Sequence, residues 1–176
     1  MKNILIVLLA LIVLLGGGYL VKEKKSESGS ETPVVDNTID NVDETTISGL
    51  SGETLDLSGK NLTKAPEYIF NMTNLVGLDL SGNQLTGALQ SQIGQLKKLR
   101  VLDLSDNEFT GVPAEVGQLA NLETLDLSNN LLTGLPYELG NLSKLKLLDL
   151  SGNNYSEADL TKIKESLPST TVIKTN

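Results

Sequence analysis

Leucines and polar residues alternate in short bursts that recur at a fixed interval through most of the chain. The phrase Leu-Asp-Leu-Ser stands at Leu55–Ser58, Leu78–Ser81, Leu102–Ser105, Leu125–Ser128 and Leu148–Ser151, with successive copies 23, 24, 23 and 23 residues apart. A period of that size, sustained this long, marks a stacked repeat architecture. In register, the units are Gly52–Asn74, Leu75–Lys98, Leu99–Asn121, Leu122–Lys144 and a last one from Leu145. In the second unit Leu78 and Leu80 alternate with Gly77, Asp79 and Ser81. A period of two predicts one short strand per unit, leucines inward and polar residues outward.

Asn83, Asn107, Asn130 and Asn153 each follow the second strand leucine by three residues. A side chain that both donates and accepts can satisfy backbone groups at a turn that no neighbouring strand reaches, so these four are expected to stack as a ladder. The first unit has Lys60 at that position and Asn61 one residue later, which predicts an incomplete edge and a looser first turn. In the second half of each unit, Ile69/Met72, Ile93/Leu96, Val116/Leu119 and Leu139/Leu142 are three apart. That spacing suits a helical turn. Pro66, Pro113 and Pro136 introduce three of these turns, and the longer second unit has Gln90 instead.

The repeats end in a different pattern. Ser156-Glu-Ala-Asp159 reads as a capping-box variant before a helix with Leu160, Ile163 and Leu167 on one face. The β-branched stretch Thr170–Lys174 predicts a last strand that covers the end of the stack. The chain therefore reads as a finished array closed by a helix-strand cap from residue 156.

Residues 1–25 hold an apolar run. Ile4–Val21 is 18 residues without a charge, preceded by Lys2 and followed by Lys22, Lys24 and Lys25. A helix of that length spans roughly 27 Å at 1.5 Å per residue, close to a bilayer's hydrocarbon core. It is read as a signal-anchor helix, with a cleavable signal peptide based on Ile4–Leu15 as the alternative. Either places the repeats outside the cytoplasm, single-pass at the cell membrane or secreted after cleavage. The lysines on both flanks leave orientation undecided by charge alone. Residues 26–48 carry six acids (Glu27, Glu31, Asp36, Asp40, Asp43, Glu44) and no base, which predicts a flexible acidic linker. Asp36–Asp40 lacks the order of a Ca²⁺ loop.

Composition narrows the chemistry. The 176 residues contain no Cys and no His, and the net charge is −8. Disulfide, thiol and histidine chemistry are thereby excluded, and nucleic acid is disfavoured as a partner. Paired carboxylates meet a glycosidase's spacing, but an open groove without aromatics offers no differentiated acid and base, so no enzyme is expected. No cofactor or metal is expected either.

Repeats of the form Leu-x-x-Leu-x-Leu-x-x-Asn-x-Leu, as in Leu75–Leu85, resemble the leucine-rich repeat family over roughly residues 50–155. The Leu-Thr-Gly phrasing of the second unit is similar to the plant-receptor class, and the other units are similar to the shorter bacterial Leu-Pro class. The resemblance implies an α/β repeat solenoid over residues 49–176, a short horseshoe of about five parallel strands plus the cap, preceded by the apolar helix. It also implies a ligand surface on the concave sheet, made of Asp56, Asp79, Asp103, Asp126 and Asp149 with Ser81, Ser105 and Ser128 beside them. Val101 interrupts that polar face, as does Leu147, and the positions just before the strands, Glu53, Val76, Arg100, Glu123 and Lys146, vary more. Five aspartates at about 4.8 Å strand spacing are expected to raise one another's pKa. Three readings of the column stay open: a framework phrase with each Asp bonded to its Ser, an acidic groove for a basic protein or peptide, and divalent-cation binding. The function implied is protein or peptide binding, with an envelope spacer as the alternative. The sequons at Asn61, Asn71 and Asn141 fall on framework positions and are read as coincidental.

Overall fold

The structure, a computed structural model, describes residues 52–175. The apolar segment and the acidic linker lie outside those residues. The chain divides into two units, Met1–Asn37 and Thr38–Asn176, and the described residues all fall in the second. Its strands are β1 (Glu53–Asp56), β2 (Leu75–Asp79), β3 (Thr86–Ala88), β4 (Val101–Asp103), β5 (Glu108–Gly111), β6 (Thr124–Asp126), β7 (Leu147–Asp149) and β8 (Val172–Lys174), with one α-helix, α1 (Glu157–Ser166), among the described residues.

Each unit contributes one strand to a parallel sheet ordered β1-β2-β4-β6-β7-β8. The register is set by the repeat: Leu78 pairs with Leu102, Leu102 with Leu125 and Leu125 with Leu148. The inward leucines Leu78, Leu80, Leu102, Leu104, Leu125, Leu127, Leu148 and Leu150 are buried, as the alternation predicts. β8 pairs parallel with β7 and supplies the expected closing strand.

The opposite wall consists of 3-10 turns at Glu67–Asn71, Ser91–Gln95, Ala114–Gln118 and Tyr137–Asn141. A 3-10 turn repeats every three residues, and that explains the spacing of Ile69/Met72 and its equivalents. Pro66, Pro113 and Pro136 enter these turns in extended conformation, with φ between −61° and −70°. Gln90 takes the same backbone conformation and uses its side chain, donating from Nε2 to the Ala65 carbonyl at 3.0 Å.

Three details differ from the sequence reading. β3 and β5 form a second, two-stranded parallel sheet on the flank, with a register shift between Gly87 and Ala88, where the second unit carries its extra residue. The first turn is held, not loose: Asn83 Oδ1 accepts the N–H groups of both Lys60 and Leu62 at 2.9 Å. Each ladder asparagine serves the unit before it, so the first unit needs none of its own. Third, Ser156 caps α1 without a side-chain hydrogen bond. The capping-box acid Asp159 turns away to the neighbouring unit, where Oδ2 accepts the Leu135 N–H at 3.2 Å.

Candidate functional site

The outward face of the main sheet is built in rows, because every strand presents equivalent residues at the same height. The central row pairs Asp56 with Asp79, Asp79 with Asp103, Asp103 with Asp126 and Asp126 with Asp149, and it ends on Lys174. The five aspartates predicted from sequence are therefore aligned. One side of each carboxylate is already used. Asp79, Asp103, Asp126 and Asp149 accept both the N–H and the hydroxyl of Ser81, Ser105, Ser128 and Ser151 on Oδ1, with hydroxyl distances of 2.6–2.7 Å. Among the described residues Asp56 accepts only the Ser58 N–H. Such side-chain-to-backbone bonds stop the strand and start the turn. Oδ2 of Asp79, Asp103 and Asp126 makes no hydrogen bond among the described residues. On Asp149 the same oxygen holds Lys174 Nζ at 2.9 Å.

Mutual repulsion is a smaller influence on the row than the sequence suggests. Burial is the main cause that raises the Asp103 carboxyl, opposed by the Ser105 bonds, and the charges of Asp79 and Asp126 add least. At Asp149 burial also pushes upward, but Ser151 and Lys174 outweigh it and the carboxyl is lowered.

Beside the aspartates runs a partly apolar row in which Gly77 pairs with Val101, Val101 with Thr124, Thr124 with Leu147 and Leu147 with Val172. Val172 is 58% exposed. At the strand entrances Arg100, Glu123 and Lys146 form a linked third row. Arg100 Nε donates to Glu123 Oε1 at 2.7 Å and Lys146 Nζ to Glu123 Oε2 at 2.6 Å. Glu123 thus spends both oxygens inside the protein and fixes its two neighbours. Sequence reasoning noted these three positions as variable but not their bridging, and it missed Lys174 and Val172. The β-branched terminal strand was the available signal for both, once its register is known.

Those two bonds, Arg100 first, hold the Glu123 carboxyl at about 2, below its usual 4.5. A folded-state value below the unfolded one stabilises the fold above pH 4.5, and that contribution is lost as pH falls toward 2. The stability difference between the wild type and Glu123→Gln is therefore expected to be flat from neutral pH to roughly pH 5 and to shrink below it. Urea unfolding across that range checks this. The effect is modest and salt-sensitive, since both cations are partly exposed.

Among the described residues no group of three or more acidic side chains is placed to hold a metal ion. None of their helices is long and apolar enough to cross a membrane.

The family described as "Leucine rich repeat" matches residues 53–109 and 97–154, more than half of the chain. Receptor-like protein 41 of Arabidopsis thaliana is 49% identical over 51 residues, 29% of this chain and 6% of that protein. A leucine-rich repeat protein of Leptospira interrogans is 34% identical with a TM-score of 0.55, over 64% of this chain and 35% of that one. The BIR3–SERK2 complex of Arabidopsis thaliana gives 33% identity and a TM-score of 0.56, over 69% of this chain and 66% of the matched one. This chain spans a small fraction of the receptor-like protein and about a third of the Leptospira chain. Repeat period, inward leucines, asparagine ladder and these likenesses agree: the chain belongs to the leucine-rich repeat family.

Proposed function

We propose that the chain is a membrane-anchored, outward-facing interaction module that binds a protein or peptide on the concave face of its main sheet, with basic groups of the ligand on the aspartate row. The observation that carries this reading is the row of carboxylates whose Oδ1 atoms are fixed by serine while Oδ2 of Asp79, Asp103 and Asp126 has no hydrogen-bond partner among the described residues. Pre-fixed acceptors at about 4.8 Å intervals bind cations without first losing side-chain freedom. The similar BIR3–SERK2 structure is itself a complex between proteins. The uncharged Ile4–Val21 run supports the anchor.

A spacer role in the cell envelope is the second reading. It is favoured by the local use of every aspartate as a strand-end acceptor, which the fold needs whether or not a ligand exists. The two readings separate when Asp79, Asp103 and Asp126 are changed together to Asn in the full chain. Binding of immobilised cationic surface proteins is expected to fall at least tenfold at moderate salt, while an unchanged binding profile contradicts the acidic face.

A further inference from the structure

The three rows of the sheet face differ in charge, and together they describe a partner more specific than a basic one. We infer that the face recognises a mixed-charge protein segment lying across the strands, with cationic side chains on Asp79, Asp103 and Asp126, apolar ones on the row of Val101, Leu147 and Val172, and anionic ones on Arg100 and Lys146. The inference rests on the proposed binding role of this face and adds the ligand's charge pattern and its orientation.

Three observations support it. First, the protein contains its own example of the cationic contact: Lys174 Nζ sits 2.9 Å from Asp149 Oδ2, the oxygen left open on Asp79, Asp103 and Asp126. Lys174 also closes the row at its carboxyl end, so an incoming cation is directed to β2, β4 and β6. Second, Glu123 does not cancel the opposite row. Its single charge is shared between Arg100 and Lys146, leaving a net positive rim of one charge across three residues. Only Nε of Arg100 is engaged with Glu123, so the remaining guanidinium donors are directed to no other described group, and the Lys146 side chain is 73% exposed. Arginine held in this way keeps its bidentate geometry for a carboxylate. Third, the apolar row stands between the other two: Arg100 and Asp103 are three residues apart along the chain, roughly 10 Å at 3.3–3.4 Å per residue, with Val101 between them. That is the width over which one segment presents opposite charges on the two sides of an apolar stripe. A uniformly basic segment would gain at the aspartates and lose at Arg100 and Lys146, and such like-charge juxtaposition is how an interface rejects wrong partners.

The test uses two synthetic probes of equal length, an oligolysine and a peptide with lysines and glutamates on opposite sides of a leucine stripe. Their binding to the full chain is followed by fluorescence anisotropy across a salt series. The two-sided peptide is expected to bind at least tenfold tighter than oligolysine. Changing Arg100 and Lys146 together to Gln should remove that preference, leaving oligolysine binding equal or stronger, with a cooperative thermal melt, lowered only by the loss of the two Glu123 bridges, showing that the fold persists. Equal binding of the two probes to the wild type, or a preference that survives the double change, overturns the inference. If the Asp79, Asp103 and Asp126 triple change to Asn abolishes binding of both probes while the Arg100 and Lys146 change has no effect, the acidic face stands and only the charge pattern fails. Should neither probe bind, both readings fall.

Discussion

Replacing Asn107 by alanine is expected to lower the free energy of unfolding by about 3 kcal/mol, because it leaves several buried backbone groups without partners. Asn107 is only 8% exposed and links two units. Its Oδ1 accepts the Leu85 N–H at 3.0 Å, and its Nδ2 donates to the carbonyls of Leu80, Leu104 and Ser105 at 3.0–3.2 Å. Asn83, Asn130 and Asn153 repeat this arrangement, so each asparagine closes its own turn and the preceding one. Asn107→Asp is expected to be no milder, since a carboxylate accepts where three carbonyls require donors. Asn154→Ala removes an exposed side chain one residue past the ladder and should change stability by less than about 0.5 kcal/mol. Urea unfolding of the three variants checks the order.

Gly117→Ala should be as damaging for a steric reason. Gly117 lies in the Ala114–Gln118 turn, and a methyl group there would collide with the Glu138 carbonyl, coming within 2.6 Å of its carbon. The obstacle is backbone of the next unit, which cannot swing aside as a side chain can, so a loss of roughly 3 kcal/mol is expected. Gly140 meets mainly the Ser166 side chain at 2.8 Å, and Gly94 meets Glu115 Cβ at 3.0 Å, so the cost should decrease in the order Gly117, Gly140, Gly94. Gly111 has nothing within 4 Å of where a Cβ would stand, and its alanine variant should unfold close to the wild type. Thermal melts of the four variants test whether the turns stack as closely as these contacts require. The first unit has Phe70 at the equivalent position, where it is buried. The first and second turns are less closely apposed than the later ones, which leaves room for that ring.

The leucine alternation and the ladder were legible in the sequence because each depends on local spacing repeated in every unit. Inward leucines follow from a period of two, and the three-residue spacing of the opposite wall already contains the 3-10 turn. What could not be read depends on contacts between units. The Gly94, Gly117 and Gly140 column has a reason only once the next unit's backbone is in place. The pair of flank strands β3 and β5 forms between stretches that carry no alternation of their own. The Arg100–Glu123–Lys146 bridge needs residues 23 apart to stand side by side. Lys174 finishes the aspartate row only because β8 falls in register with β7. The alignment of the aspartates was legible from the period, but the unequal use of their two oxygens was not. Oδ1 belongs to the fold, and the proposed binding role belongs to the opposite oxygen.

That division of each carboxylate leads to the most direct test of a binding face. A photocrosslinking amino acid placed at Val101 on the sheet face, or at Gln118 on the opposite wall, is introduced into the full chain and irradiated on intact cells. A discrete protein adduct is predicted from Val101, absent from Gln118 and lost when Asp79, Asp103 and Asp126 are changed to Asn. An adduct that forms equally from both positions, or persists without the aspartates, would contradict a binding role for this face.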